Sequence, residues 1–190
     1  MIRTKKELCD YLDADRRQLG ISRKYPRFFT DEIWKYQIVL RKYEFWINHR
    51  KTPFALVMKM LYKIKWHNKS VKYGLFIPPN VCDSGLSIAH MPGVVINDQA
   101  CVGKNVRIHE GVTVGASGGK APRVGDGCFL GTGCKIIGDV TIAPRCVVGA
   151  GAVVVKDVKE EGITLAGVPA KKVSQHDADS LVYWFGRRER

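Results

Sequence analysis

Two periods divide the chain. Through residues 30–49 the apolar positions Ile33, Tyr36, Leu40, Tyr43 and Ile47 recur three and four apart, the spacing of one helical face. Trp34, Phe45 and Trp46 widen that face, and Lys35, Arg41 and Lys42 supply a basic remainder. Thr30, Asp31 and Glu32 open this stretch with a capping residue and acids suited to the positive end of a helix dipole. A shorter helix is expected over residues 8–19, stopped by Gly20. Another is expected from Pro53, a fitting first-turn residue, to about Trp66.

Further on the period is six. Val102, Ile108 and Val114 open the series; Val124, Leu130, Ile136, Ile142, Val148 and Val154 resume it after a break. Four residues past most of these anchors stands a small or branched residue: Val106, Val112, Cys128, Cys134, Val140, Cys146 and Ala152. An earlier set, Phe76, Cys82, Ile88 and Val94, is offset by two, which predicts a bulge near Val95. Such a repeat reads as a parallel β-helix, each hexad giving one strand and one turn and three hexads closing a triangular coil. Period and the load of Gly and β-branched residues exclude helix here. The break, residues 115–123, is a flexible polar loop leaving the prism wall. The expected organisation is a basic α-helical domain at 1–70, a β-helix at 71–174 and a C-terminal tail at 175–190.

Charge and cysteine usage narrow the setting. The net charge is +13, and residues 1–70 hold 17 Lys/Arg against 7 Asp/Glu. Such a field attracts polyanions or anionic surfaces. No helix-turn-helix, zinc finger or aromatic RNA-binding signature accompanies it, so no nucleic-acid partner is expected. The six cysteines form no CxxC pair and read as reduced, small, buried hydrophobes. The N-terminus lacks the apolar core of a signal peptide and no stretch is apolar enough to span a bilayer. A cytoplasmic protein is expected, with contact to the inner membrane face or to an anionic glycan through its basic half.

The tracts GLSIAHMPGVVIN (85–97), RIHEGVTVG (107–115), GCFLGTGCKIIGDVTI (127–142), VVGAGAVVVKDV (147–158) and AGVPAKKV (166–173) carry a resemblance. They resemble the hexapeptide-repeat acyltransferases, among them the serine acetyltransferases, and in particular serine-acetyltransferase-like proteins associated with surface-polysaccharide synthesis. The resemblance implies a left-handed parallel β-helix, a homotrimer with active sites between neighbouring prisms, and acetyl-CoA as co-substrate. His90 matches the family's catalytic histidine. An imidazole is suited to deprotonate an acceptor hydroxyl and to return the proton to the departing thiolate. Backbone N–H groups of the Gly115–Gly119 loop of an adjoining subunit are expected to meet the oxyanion. For the pantetheine arm the resemblance implies Ala116, Ser117, Thr132 and Ala150, and for the CoA phosphates Lys156, Lys171 and Lys172.

Departures from the family pattern bear on the acceptor. The acid that usually precedes the catalytic histidine is Ala89, an earlier orienting acid is Leu75, and a loop histidine is Ala121. These losses remove groups matched to the charges of serine. The expected acceptor is therefore a sugar hydroxyl in capsular or other surface polysaccharide, with His109, Lys120 and Arg123 as acceptor-binding candidates. His109 either orients the acceptor or pairs with Glu110 of a neighbouring chain. Serine O-acetylation for cysteine synthesis and a non-catalytic β-helix scaffold are the alternatives. With only His90 and His109 in the repeat region, no metal is expected.

Overall fold

The computed structural model describes residues 1–49 and 52–181. Three helices, α1 (Lys5–Gln18), α2 (Glu32–Asn48) and α3 (Pro53–Tyr73), precede a parallel β-helix, and a short α4 (Ala178–Leu181) follows it. Residues 182–190, most of the expected C-terminal tail, lie outside the described residues. α1 starts three residues before the expected Leu8 because Thr4 and Glu7 form a capping box. The Glu7 carboxylate accepts from the Thr4 and Arg3 amides at 2.8 and 2.7 Å, and the Thr4 hydroxyl accepts from the Glu7 amide. α3 runs seven residues past the expected Trp66, to Tyr73, and Gly74, whose φ of 62° suits glycine, caps its end. Asp31 stands at the N-cap of α2, but its carboxylate turns back to the Arg27 amide at 2.7 Å and to Arg23.

The strands form the three faces of a prism. One face stacks Leu75–Phe76, Val94–Ile96, Thr113–Gly115, Lys135–Ile137 and Val153–Val154; a second stacks Cys101–Val102, Arg123–Val124 and Thr141–Ile142. The third stacks Ser87–Ile88, Arg107–Ile108, Phe129–Leu130, Val147–Val148 and Thr164–Ala166, all parallel. Antiparallel Lys171–Ser174 closes its far edge. All nine hexad anchors from Val102 to Val154 are at most 4% exposed, and the seven small residues four positions on are buried with them. The interior is a column of anchors, as the six-residue period predicts.

The offset lies elsewhere than predicted. Cys82 pairs with Val102 and Ile88 with Ile108, each 20 residues on, whereas Ile96 pairs with Val114, 18 on. The two extra residues therefore fall between Ile88 and Ile96, in the turn Ala89–Gly93, and not at Val95. Phe76 is no core anchor: it is 47% exposed, and its neighbours Leu75 and Ile77 fill the interior instead.

The first coil has no coil beneath it, and its backbone needs partners. The helices supply them. Tyr36 donates to the Leu75 carbonyl at 3.0 Å, Gln37 to Leu86 at 2.6 Å and Trp66 to Ile77 at 3.2 Å. Arg41, one of the basic residues bordering the apolar face of α2, is fully buried. Its guanidinium donates to the Cys82 and Asp83 carbonyls at 2.8 and 2.6 Å, to Asp15 at 2.8 and 3.2 Å, and to Glu44 at 3.0 Å. Asp15 in turn accepts from the Gly85 and Leu86 amides. Burial works against the Arg41 charge, but Asp15 and Glu44 hold its pKa above the usual value. Of the cysteines, all free, Cys82, Cys128, Cys134 and Cys146 are buried as expected, while Cys9 and Cys101 are exposed.

Candidate active site

One edge of the prism collects the candidate chemistry. Gly93, Gly111, Gly133 and Gly151 stack along it, linked by amides donating to the preceding coil: Gly111 to Pro92, Gly133 to Glu110 and Gly151 to Thr132, at 3.2, 2.8 and 2.8 Å. In this register Gly149-Ala150-Gly151 lies on Gly131-Thr132-Gly133, and that on His109-Glu110-Gly111. The first coil follows the same path from Ala89, whose amide donates to Ile108, to Pro92 and Gly93. His90 and Met91 are thus the two inserted residues. The insertion lifts His90 out of the wall, where its side chain is exposed.

His109 reaches the same place by alternation. Ile108 points inward as an anchor, so Arg107 and His109 on either side point outward. The two imidazoles meet edge to face with ring centroids 5.6 Å apart, and Phe129 backs His109 at 4.8 Å. Glu110 comes from the same chain, not a neighbour, with a carboxylate oxygen 3.9 Å from His109 Nδ1. Its other oxygen accepts from the Thr132 hydroxyl at 2.9 Å. Burial first, then the Arg107 charge, hold the His109 pKa below the ordinary histidine value; Glu110 works the other way. Hydrogen bonds from its own amide and from Thr132 lower that of Glu110. The edge thus offers an exposed imidazole, a neutral imidazole beside it and an ionised carboxylate. His109 Nε2 and Glu110 Oε2 are buried with no hydrogen-bond partner among the described residues.

His90, His109 and Glu110 each bring a ligand atom within 4.8 Å of the others. Two imidazoles and a carboxylate are also a donor set suited to zinc. Arg107 donates to the Ser87 hydroxyl at 3.0 Å and is half-buried on the same face. Neither Arg107 nor Phe129 is picked out by motif spacing; both are found only by asking what flanks an anchor and faces out beside His109.

The remaining candidates divide. Thr132 and Ala150 share the His90 edge, exposed. Ala116 and Ser117 lie on the next edge, after the strand Thr113–Gly115, where Ser117 and Lys120 pair across a tight turn through Gly118 and Gly119. Lys156 follows Val153–Val154 on that second edge. Lys120 is paired with Asp139 at 2.6 Å, and Arg123 faces out of the three-stranded face beside Cys101. Lys171 and Lys172 lie on the antiparallel end strand, with Lys172 bonded to Glu160 at 2.6 Å. Within one chain, then, His90, His109, Thr132 and Ala150 come together, and the loop residues and lysines do not join them.

Comparison with known proteins agrees with this architecture. The bacterial transferase hexapeptide (six repeats) family model matches residues 121–156. A serine acetyltransferase of Mycobacterium tuberculosis is 41% identical over 102 residues, 52% of this chain and 44% of that protein. The chain spans less than half the length of the curated relatives it matches. The crystal structure of serine acetyltransferase from Brucella abortus superposes with a TM-score of 0.71 at 26% identity, covering 91% of this chain and 71% of that one. The structure of that enzyme with coenzyme A superposes at 0.67 and 24% identity over 90% of this chain and 70% of that one. Residues 121–156 thus match the hexapeptide transferase repeat, on a fold similar to that of the serine acetyltransferase structures.

Proposed function

We propose that the protein is an acetyl-CoA-dependent O-acetyltransferase, trimeric, whose acceptor is serine. The observation that carries the reading is the His90 edge. An exposed imidazole stands beside a second imidazole, a carboxylate and an arginine, next to a column of small residues. His90 takes the proton of the acceptor hydroxyl as its oxygen attacks the thioester carbonyl. The tetrahedral adduct collapses, the C–O bond stays, the C–S bond breaks, and His90 returns the proton to the thiolate. Thr132 and Ala150 leave room for the pantetheine arm, and a protein of similar fold is known in complex with coenzyme A. Ala116, Ser117, Lys156, Lys171 and Lys172 take part only from a neighbouring subunit, because their own chain keeps them off this edge.

Serine is favoured over a sugar for two reasons. The relatives reported above are serine acetyltransferases, and polysaccharide-associated enzymes are not among them. A zwitterion also needs both signs of charge, and Glu110 and Arg107 offer an anion for the ammonium and a cation for the carboxylate. A saccharide acceptor keeps one specific argument. Leu75, where the family carries an orienting acid, is wholly inside the prism, and Ala89 and Ala121 stand where two further polar groups are usual. In that second reading Lys120 and Arg123 of an adjoining chain meet an acidic sugar.

The test follows thiol release from acetyl-CoA with serine and with a panel of neutral and acidic saccharides. Serine-dependent turnover, reduced by roughly 10²–10⁴ in His90→Ala with the trimer intact, is expected. Turnover with a saccharide and none with serine overturns the serine assignment. A His90→Ala variant as active as its parent overturns the enzymatic one.

A further inference from the structure

Among the described residues, α3 presents an unpartnered apolar seam. Phe54, Val57, Leu61, Ile64 and Val71 fall at alternating intervals of three and four, with Asn68 completing the sixth position, so they share one face. Each of these five apolar residues is between 45 and 66% exposed. Large apolar side chains at single exposed sites need no explanation, but a continuous row of them along one helix does. The opposite face does the packing: Ala55, Ser70 and Tyr73 are buried, and Trp66 stacks on Tyr43.

The charge of the helix selects among occupants. α3 holds five lysines and no acidic residue. Lys65 and Lys72 flank the seam on one side; on the other, exposed Met60 and Leu56 widen the apolar stripe before exposed Lys63 borders it. Packing the seam against a second copy of itself would set these rows of like charge against each other, which is unfavourable. A helix that is apolar on one stripe and lysine-bordered on both sides matches the boundary of an anionic bilayer, apolar stripe in the acyl region and ammonium groups at the headgroups. No helix among the described residues is long and apolar enough to cross a membrane, so α3 would lie on the surface. Phe28 and Phe29, more than four-fifths exposed, stand just before α2, whose Glu32 meets Lys69 and Tyr73 at the end of α3.

We propose that α3 is a membrane-docking helix, which seats the protein on an anionic lipid surface through the Phe54–Val71 seam and its bordering lysines. This is independent of which acceptor the active edge uses.

Co-sedimentation of the full chain with vesicles tests it. Binding to phosphatidylcholine vesicles containing phosphatidylglycerol is expected, weakening as salt rises, with little binding to phosphatidylcholine alone. Replacing Lys63, Lys65 and Lys72 by Gln should weaken it by on the order of a hundredfold. Leu61→Ser with Ile64→Ser should abolish it while melting temperature and turnover in vesicle-free solution stay at the parent's values. Equal binding to both vesicle types, or none to either, overturns the proposal. So does a smaller assembly for the Leu61→Ser/Ile64→Ser variant, which would make the seam an interface between copies. Should that variant fail to fold, the surface lysine variant decides: unchanged binding to anionic vesicles refutes the docking role.

Discussion

Arg41 and His109 show how a single residue can carry more than its pattern predicts. Arg41 sits among Asp15, Glu44 and two backbone carbonyls with no solvent contact. Truncating it leaves buried carboxylates and carbonyls without a cation, so Arg41→Ala is expected to lose about 3–5 kcal/mol in denaturant unfolding. A loss under about 1 kcal/mol, the surface-pair range, would show that the cluster is hydrated. His109 is held neutral mainly by burial and by Arg107. Its depressed pKa contributes stability that is present above the ordinary histidine range and is lost as pH falls, because the unfolded chain then binds the proton the fold resists. Unfolding midpoints at about pH 7.5 and about pH 5.5 should therefore differ less in His109→Gln than in the parent. An equal pH dependence would place the acid sensitivity elsewhere. The cysteines divide by exposure. Burial pushes Cys82, Cys128 and Cys134 up to about 12 and raises Cys146. A thiol reagent added to native protein should label only Cys9 and Cys101; rapid labelling of four or more would mean that the coil opens.

At the level of elements, the coils hold one another through a backbone column that only small residues permit. A methyl on Gly131 would sit 2.8 Å from the Val148 carbonyl oxygen and 2.9 Å from the Ala150 amide, whereas at Gly133 it meets nothing within 4 Å. Gly133 has a left-handed φ of 69°, which costs a non-glycine residue about 1–2 kcal/mol. Gly131→Ala forces two coils apart at the edge that carries Thr132 and Ala150. Its thermal midpoint should fall further than that of Gly133→Ala. The reverse order would mean that this edge spreads freely. Element type was legible from the sequence because periods of 3.6 and 6 are properties of consecutive residues. Element ends were less so. α1 began at a capping box whose T-x-x-E spacing was available at Thr4 and Glu7, and α3 continued to Tyr73 because its last turns pack on the first coil through Tyr73 and Trp66.

For the whole molecule, the helices act as a lid on the open end of the β-helix, satisfying the backbone of a coil that has no predecessor. Under the proposed function the site is shared between chains, since Ala116, Ser117, Lys120 and Lys156 stand on another edge from His90. Light scattering is accordingly expected to give three times the chain mass, and a stable, fully active monomer would remove the shared-site reading. The sequence by itself determined the β-helix, its column of anchors, the loop at residues 115–123 and His90 as the residue to watch, since each is written in spacing along the chain or in a local motif. Only the tertiary structure decided that Arg41 is buried, that the register shift is the turn bearing His90, and that Glu110, Arg107 and His109 of the same chain gather beside it. Those facts depend on which coil lies under which. Residues brought together by stacking are some 20 apart in the chain, and inserted residues move the stacking register in a way that no period reveals.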